Sequence, residues 1–198
     1  MSNHWNDRFS AEEYVYGEVP NVFVKEQAHF LRGNKKIAAF AEGEGRNAVY
    51  LAQHNHEVTT FDFAENGLQK TKKLANRFNV EVETIQTDLI HDSLPVEKFD
   101  GAIMVFGHFL KKDQKTVLDK IIASVKSGGT IMFEVYSEDQ LRYLTGGPKV
   151  KEMLYHPNDV LSWVYDYNVL HFFYGEQERV EGLLHTGKGH VIQVIIQK

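Results

Sequence analysis

The sequence predicts an α/β fold of the doubly wound, Rossmann-like type: a mixed sheet of seven strands with helices on both faces and an antiparallel last strand. Apolar strand-like segments alternate along the chain with segments of helical periodicity, as βαβ units require. A glycine-containing turn, AEGEG, separates the first apolar strand from a helix, and Asp62 ends the second strand. The last two strand segments lie too close together for a crossover helix, so we expect them to run antiparallel.

The N-terminal part of the chain is predicted to be helical and looped. At 198 residues the chain is expected to be a single domain, in which a helical lid over residues 1–33 precedes a core over residues 34–198. Ser10–Glu13 matches the sequence pattern of a capping box, but the glycine and proline of Tyr14–Asn21 favour an ordered loop after it. A helix is predicted from Val22 to Leu31.

The core is predicted to alternate strands and helices up to its final hairpin. The segment FDGAIMVF is almost wholly apolar, which is typical of a strand covered on both faces. The glycines of SGG are expected to end the helix before the fifth strand. The predicted strands are Lys36–Ala41, His56–Phe61, Val80–Gln86, Phe99–Phe106, Thr130–Tyr136, Val169–Glu178 and Val191–Gln197, and the predicted helices are Asn47–His54, Asn66–Phe78, Gln114–Val125 and Asn158–Tyr165.

Composition narrows the class of protein. The 27 acidic and 22 basic residues give a formal charge of −5, and no run of Lys or Arg forms a track for a phosphate backbone, so no nucleic-acid partner is expected. The absence of cysteine excludes disulfides, thiolate metal sites and cysteine nucleophiles. No apolar run approaches the ~18 residues of a membrane span and no leader sequence is recognisable, so a cytoplasmic protein without membrane contact is expected.

The glycine turn predicts a nucleotide-type ligand. Gly43 and Gly45 lack Cβ atoms, so the backbone can turn tightly and a ligand can approach the amides that open the next helix. Asp62 lies where a carboxylate can accept both hydroxyls of a ribose, although it could instead cap the helix that begins near Glu65. The segment from Gly43 to Ala48 also matches the loose GxGxxG/A pattern of dinucleotide sites.

The charge of the turn separates the candidate cofactors. NAD and FAD would place an anionic pyrophosphate against these amides, whereas S-adenosylmethionine (SAM) has no phosphate and carries a sulfonium cation. Glu42 and Glu44 flank the turn, and two carboxylates would repel a phosphate in a partly desolvated site but tolerate a cation. The acidic turn therefore favours SAM, unless both glutamates point to water. A dehydrogenase of the usual kind would also need a further substrate domain, and 198 residues are too few to supply one. Chain length therefore disfavours NAD as well.

Motifs spread over most of the chain carry a family resemblance. They are AEGEGRNAVYLA (41–52), TTFDFAENGLQKTKKLA with Asp62, QTDL with Asp88, SVKSGGTIMFEVYS (124–137), LTGGPK (144–149) and the closing EGLLHTGKGHVIQVIIQK. Together they resemble the motifs of class I SAM-dependent methyltransferases. Within that group the chain is similar to the small tellurite-resistance-type methyltransferases.

The resemblance implies how SAM is held. The glycine turn would lie under the methionine part, Asp62 would take the ribose hydroxyls, and Asp88 with Leu89 would meet the adenine edge. Phe106 and Gly107 would lie beside the sulfonium. The implied cofactor-binding residues are Ala41, Glu42, Gly43, Gly45, Asp62, Phe63, Asp88, Leu89 and Phe106.

Two positions depart from the family pattern. The family commonly has an acidic residue where this chain has Ala39, and a first glycine where it has Ala41. Either Glu42 replaces the missing acid electrostatically, or SAM is bound weakly or in a shifted pose. Asp88 also has an alternative role, because an aspartate after a strand often forms a turn with its own backbone.

Methyl transfer needs alignment and exclusion of water, and a general base only where the nucleophile carries a proton. The candidates for a base or an anion clamp are His108, which follows strand four, His185, between the last two strands, and Arg46, where the first core helix opens. The alternatives are packing or loop hydrogen bonding for the histidines, and neutralisation of Glu42 and Glu44 for Arg46.

Other side chains have simpler interpretations. His54 and His56 straddle a helix end and a strand start without a third ligand, so helix capping is expected and no metal site. The aromatic residues near the N-terminus are predicted to form a lid suited to a sulfonium or a soft substrate, or simply to pack this segment down. They are Trp5, Phe9, Tyr14 and Tyr16.

These inferences converge on a cytoplasmic methyltransferase, a monomer or homodimer, that transfers a methyl group from SAM to a small molecule. The resemblance names tellurite or a related chalcogen oxyanion as the acceptor, which a polar patch of Arg46, His108 and His185 would suit. The absence of cysteine argues against cysteine-relay chemistry. The alternatives are a non-catalytic protein that binds SAM or S-adenosylhomocysteine (SAH), a nicotinamide-dependent oxidoreductase, and a scaffold with a degenerate site.

Overall fold

Seven strands form one mixed sheet in the computed structural model, which describes residues 4–33, 35–143, 145–182 and 185–198, with only the backbone of residue 185. The strands are β1 (Lys36–Phe40), β2 (Glu57–Asp62), β3 (Val82–Gln86), β4 (Phe99–Val105), β5 (Val125–Tyr136), β6 (Asn168–Glu181) and β7 (His185–Gln197). Their order across the sheet is β3-β2-β1-β4-β5-β7-β6.

The topology is doubly wound. β1 pairs in parallel with β2 and β4, β2 with β3, and β4 with β5. β7 runs antiparallel to both β5 and β6. The predicted fold class, with its antiparallel last strand, is therefore confirmed. The strand order reverses between β1 and β4, and in open sheets of this kind ligands bind beyond the carboxyl ends of the strands at that point.

Helices cover both faces of the sheet. They are α1 (His4–Arg8), α2 (Val22–Gln27), α3 (Arg46–Gln53), α4 (Glu65–Arg77), α5 (Lys111–Ser124) and α6 (Pro157–Val164). Because side chains alternate along a strand, Ile37 and Ala39 of β1 pack in one apolar cluster with α2 and α3, while Ala38 and Phe40 pack in another with α5 and α6. Within the described parts of the chain, no helix is long and apolar enough to cross a membrane.

The predicted and observed elements differ mainly at their ends. The helix predicted from Val22 to Leu31 is α2 followed by a 3-10 turn over Ala28–Leu31. The sequence does not predict α1, since five residues are too few for a periodic apolar signal. The sequence also does not predict two further 3-10 turns, Glu138–Arg142 and Lys151–Met153, because they too are short for a periodic apolar signal.

The last three strands are longer than predicted. β5 begins at Val125, which pairs with Phe99, and the register of the pair then shifts around Gly128, whose φ is +80°. The hairpin of β6 and β7 extends to the pair of Glu181 and His185. Its outer part lacks apolar alternation, which is the signal on which a strand prediction depends.

Candidate active site

A cavity opens at the carboxyl edge of the sheet, beside the point where the strand order reverses. Its walls are the loops that follow β1, β2, β3 and β4, and its outer side is covered by the N-terminal segment, residues 4–20. Its empty volume, including solvent at the mouth, is about 980 Å³. We call this space the site cavity.

The glycine turn, residues 41–45, is built from left-handed backbone conformations. The φ angles are +50° at Ala41, +62° at Gly43 and +88° at Gly45. Glycine adopts such angles without strain, whereas alanine does so at a steric cost. Position 41 is the one at which the family pattern has glycine, so the departure stores strain in the turn.

Packing between helices, more than ligand approach, requires a glycine at position 45. A Cβ atom on Gly45 would lie 2.5 Å from Thr71 Oγ1 in α4, and Gly45 does not line the cavity. Gly43 does line it, and a Cβ atom there would lie 3.0 Å from the ring of Phe9. Gly67 of α4 lets that helix approach the turn, because its Cβ would lie 2.8 Å from the Gly43 carbonyl oxygen.

Glu42 caps α3 from within the turn. Its Oε1 accepts hydrogen bonds from Asn47 N at 2.7 Å and Ala48 N at 2.9 Å, and its Oε2 accepts one from Asn47 Nδ2 at 3.2 Å. Burial raises the pKa of Glu42, and these hydrogen bonds oppose the rise. The amides that would bind a phosphate at this helix N-terminus are therefore occupied by a carboxylate of the chain itself.

Glu44 is buried as well, but its charge is compensated. Lys70 Nζ lies 2.7 Å from Glu44 Oε1, and the carboxylate accepts hydrogen bonds from Val15 N and Tyr16 N at 3.2 Å each. Lys70 also donates to the Glu13 carbonyl oxygen at 2.6 Å. Glu44 thus fastens the N-terminal segment to the turn. The alternative in which both glutamates point to water is wrong.

Asp62 lines the cavity and holds two backbone amides. Its Oδ2 accepts from Gly43 N and its Oδ1 from Ala64 N, both at 2.8 Å. It therefore fixes the residue that precedes α4, but within the described chain no side chain caps that helix, so the capping alternative is not met. Each oxygen keeps a further lone pair for a ligand hydroxyl. Burial raises the pKa of Asp62, and the amide hydrogen bonds oppose that rise.

The loops after β2 and β3 supply the side wall. Asp88 and Leu89 line the cavity, as does Phe63, which is 38% exposed. Asp88 Oδ1 accepts hydrogen bonds from Ile90 N at 2.9 Å and His91 N at 3.3 Å. The side chain of Asp88 therefore forms the turn that the alternative interpretation describes.

Stacked aromatic rings form the opposite wall. Phe106 follows β4 with a φ of +55°, and its ring lies 4.4 Å from that of Tyr136 at an interplanar angle of 13°. The ring of His108 stacks with those of Tyr136 and Trp5, with centroids 6.0 Å apart in both cases. Trp5 in turn lies 5.9 Å from Phe9. The stack joins the core to the N-terminal segment and makes this wall largely apolar.

His108 is held uncharged by its surroundings. Its Nδ1 is buried and has no hydrogen-bond partner among the described residues, although the residue as a whole is partly exposed. Burial, with the charge of Arg8 as a smaller cause, lowers the pKa of His108 to about 3. Such a ring is a weak proton acceptor near neutral pH, and what it offers a ligand is a hydrogen-bonding nitrogen.

Arg46 lines the cavity but is engaged in an ion pair. Its Nη2 lies 2.7 Å from Glu181 Oε2, and both side chains are buried. Its Nη1 donates to the Tyr16 carbonyl oxygen at 3.3 Å. Arg46 therefore pairs directly with a residue of β6, although its charge also opposes the rise that burial causes in the pKa of Glu42, as the neutralisation alternative expects.

A buried charge network behind Phe106 is missing from the sequence predictions. Glu134 of β5 pairs with Arg179 of β6 and accepts a hydrogen bond from Gln193 Nε2 at 2.8 Å. Arg179 Nη1 lies 3.5 Å from Glu181 Oε1, and its Cζ lies 5.2 Å from the Phe106 ring centroid. Burial raises the pKa of Glu134 to about 7. The signal in the sequence is the i, i+2 spacing of Arg179 and Glu181, which places both on one face of the hairpin.

Three of the four aromatic residues of the predicted lid lie at the cavity. Trp5, Phe9 and Tyr16 line the cavity. Tyr14 lies against α4 instead, where its hydroxyl donates to the Lys70 carbonyl oxygen at 3.0 Å. The cavity is therefore covered by Trp5 of α1, by Phe9 directly after that helix, and by Tyr16 in the loop before α2.

The remaining predicted residues lie away from the cavity or outside the description. The backbone of His185 begins β7, opposite Glu181, but its side chain and Leu144 of the LTGGPK motif lie outside the described residues. His54 is the C-cap residue of α3, with its Nδ1 2.7 Å from the Tyr50 carbonyl oxygen, as predicted. The described histidine and carboxylate side chains form no group of three or more that could hold a metal ion.

Comparison with protein families gives a match to a methyltransferase domain over residues 37–129. This family uses SAM as its methyl donor, so the predicted cofactor is confirmed at the level of the family. A comparison with curated proteins gives no match.

Solved structures share the fold. TehB from Haemophilus influenzae matches with a TM-score of 0.75 and 15% identity over 99% of this chain, which spans 66% of TehB, just under two thirds. A structure that describes the conversion of a disulfide bond into a thioacetal group during echinomycin biosynthesis matches with a TM-score of 0.76 and 11% identity, over 99% of this chain and 90% of the other. A SAM-dependent methyltransferase from Methanosarcina mazei matches with a TM-score of 0.68 and 15% identity, over 91% and 98%. The predicted resemblance to SAM-dependent methyltransferases is thereby confirmed.

Proposed function

We propose that this protein transfers a methyl group from SAM to a small-molecule acceptor, with tellurite or a related chalcogen oxyanion as the first candidate. The observation that carries the proposal is the occupied N-terminus of α3, where Glu42 takes the amides of Asn47 and Ala48. A dinucleotide would need those amides for its pyrophosphate and would meet a buried carboxylate instead. A cofactor without phosphate meets no such conflict, which favours SAM over NAD.

The residues around the cavity fit SAM. Asp62 keeps lone pairs for ribose hydroxyls while it holds the turn. Glu42 and Asp62 leave the base of the cavity acidic, which suits an ammonium and a sulfonium group. Phe63 and Leu89 offer apolar surface for a flat base. We therefore propose a cofactor site formed by Ala41, Glu42, Gly43, Asp62, Phe63, Asp88, Leu89 and Phe106.

When bound, SAM supplies an activated methyl group: a lone pair of the acceptor forms the new bond to carbon, and the electron pair of the broken carbon–sulfur bond stays on sulfur, giving SAH. The role proposed for the protein is to align the two reactants and to keep water away from them. Trp5, Phe9 and Phe109 line the wall with apolar surface, which we propose keeps water from the reacting groups. Alignment of two reactants in this way contributes about 7–11 kcal/mol, so the proposal needs no covalent intermediate.

His108 lines the cavity and is proposed to contact the acceptor through its ring. Because its pKa is lowered to about 3, it is a poor general base. Acceptors that arrive with a free lone pair, as oxyanions do, are therefore favoured over those that must first lose a proton. Arg46 is held by Glu181, so we propose that it frames the site instead of clamping the substrate. His185 is kept as a second candidate for contact with the acceptor.

Turnover tests the proposal. The purified protein is incubated with SAM and either tellurite or selenite, and SAH is quantified by mass spectrometry. We expect SAH to form only when an acceptor is present, and His108→Phe, which keeps a ring in the stack but removes both nitrogens, to lower kcat/KM roughly tenfold. His29→Phe makes the same change outside the cavity and is expected to leave turnover unchanged. Bound SAM that yields no SAH with either oxyanion would contradict the proposed reaction.

A non-catalytic SAM- or SAH-binding protein is the second candidate, and the strain at Ala41 favours it. Its φ of +50° lies in the turn that would hold the methionine part, where glycine would relax. Such a protein would bind SAM yet leave it intact with oxyanion, amine and thiol acceptors alike. The assay above, extended to those acceptors, separates the two candidates.

A further inference from the structure

Arg8 of α1 is a cation held beside the site cavity. Its Nη1 donates to the Tyr16 hydroxyl at 2.7 Å, its Nη2 lies 3.0 Å from His4 Nε2, and its Cζ lies 4.9 Å from the ring centroid of Trp5. Trp5 and Tyr16 both line the cavity. In the described parts of the chain, no carboxylate forms an ion pair with Arg8, and its side chain is partly buried.

Three other cations around the cavity have carboxylate partners that offset their charge, and a fourth, Lys120, donates to the carbonyl oxygens of Leu89, Ile90 and Asp92. Arg8 differs from all four, because it has neither a carboxylate partner nor a set of backbone carbonyls among the described residues. The compensated pairs are Arg46 with Glu181 at 2.7 Å, Lys70 with Glu44 at 2.7 Å, and Arg179 with Glu134.

Arg8 and His108 contact the same aromatic ring. The ring of His108 lies 6.0 Å from that of Trp5, over which the Arg8 guanidinium is also placed. The charge of Arg8 reaches His108, since it is the second cause, after burial, of the lowered pKa of that histidine. The buried Nδ1 of His108 has no partner among the described residues. One cation and one unpaired nitrogen thus adjoin the same aromatic wall.

We infer that Arg8 is a specificity-determining residue that draws a small oxyanion to the mouth of the site cavity, beside the ring of His108. The inference rests on the proposed methyl transfer and deepens it, because it names a residue outside the predicted site that selects the class of acceptor. The guanidinium has five N–H donors, of which the contacts with Tyr16 and His4 use two. The planar guanidinium can form a bidentate contact with two oxygens of one anion, and it stays protonated in proteins.

Equilibrium binding of tellurite to the SAH-saturated protein, measured by calorimetry, tests the role of Arg8 apart from turnover. Arg8→Gln removes the charge and is expected to weaken tellurite binding roughly tenfold or more, because a charge-assisted hydrogen-bonded pair is lost. Arg8→Lys keeps the charge without the bidentate contact, so an intermediate loss is expected. The affinity for SAH should stay within about twofold in both variants, since Arg8 adjoins the acceptor side of the cavity.

Two further variants control for surface charge and for folding. Arg142→Gln removes an exposed arginine that is paired with Asp139, and is expected to leave SAH and tellurite binding unchanged. Tyr16→Phe removes the hydrogen bond that positions Arg8 while the charge stays, so a partial loss of tellurite binding is expected even if Arg8→Gln fails to fold.

The outcomes separate this inference from the proposed function. If SAH binds and tellurite binds equally well to the wild-type and Arg8→Gln proteins, the role of Arg8 is overturned while the proposed function stands. If SAH binds and tellurite does not bind at all, the role of Arg8 is likewise overturned. If the wild-type protein binds neither SAM nor SAH, the proposed function falls and this inference falls with it.

Discussion

Replacement of Gly45 by alanine is expected to destabilise the protein by about 2–5 kcal/mol, the sum of a backbone cost and a packing cost. The φ of +88° costs an L-residue about 1–2 kcal/mol. The new Cβ would lie 2.5 Å from Thr71 Oγ1 and 2.6 Å from its Cγ2, and overpacking of this kind costs about 1–3 kcal/mol. Thr71 is buried and donates to the carbonyl oxygens of Gly43 and Gly67, so its rotation would break those contacts.

Gly128→Ala separates the two costs. Gly128 has a similar φ, +80°, but a Cβ atom there would meet nothing within 4 Å, so only the backbone cost of about 1–2 kcal/mol is expected. Urea unfolding of both variants gives the two free energies, and their difference measures the clash with Thr71. Equal losses would refute the argument that packing against α4 fixes glycine at position 45. Because the turn borders the cavity, weaker SAM binding is also expected in Gly45→Ala alone.

Three further predictions concern the buried charges and the strained turn. Glu181→Gln leaves Arg46 without its counterion, so the free energy of unfolding, measured in urea, should fall by about 3–5 kcal/mol. A decrease below about 1 kcal/mol would contradict the ion pair. Burial raises the pKa of Glu134 from 4.5 to about 7, so the folded state binds this proton more tightly than the unfolded state does. The stabilisation of the folded state by this proton is complete below pH 4.5 and is lost as the pH rises through 7. The free energy of unfolding therefore falls by up to about 3 kcal/mol over this range. Thermal melts from pH 4.5 to 8 should therefore show a decline that Glu134→Gln flattens, and an unchanged slope would contradict this reasoning. Ala41→Gly should stabilise the protein by about 0.5–1 kcal/mol, measured by thermal melting, because it relieves the left-handed φ of +50°, and a destabilised variant would show that the turn is unstrained.

The sequence predicts the sheet and one side of the cavity because both depend on local patterns. Apolar periodicity locates β1 to β5, and the positions at the ends of these strands place Asp62 and Phe106 at the same edge. Short-range geometry is enough here, since parallel strands bring their carboxyl ends together whatever lies between them.

The partners of charged side chains are not predictable in the same way. Glu44 and Lys70 are separated by 26 positions, and Arg46 and Glu181 by 135, so no local spacing signals either pair. The pairing follows from how α4 and the final hairpin pack against the glycine turn. For the same reason the sequence leaves open whether the glutamates of the turn are exposed and whether Arg46 clamps an anion or neutralises those glutamates, and it does not indicate the pairing with Glu181.

Calorimetric titration with SAM, SAH and NADH tests most directly whether the glycine turn binds a phosphate-free cofactor. Asp62→Asn is titrated alongside the wild-type protein. Asp100→Asn is the matched control, because Asp100 also holds two backbone amides, those of Lys35 and Lys36, but lies near the start of β4, at the opposite edge of the sheet. We predict that SAM and SAH bind to the wild-type and Asp100→Asn proteins, that binding is lost or strongly weakened in Asp62→Asn, and that NADH does not bind. Binding of NADH, or no binding of SAM and SAH by the wild-type protein, would contradict this account.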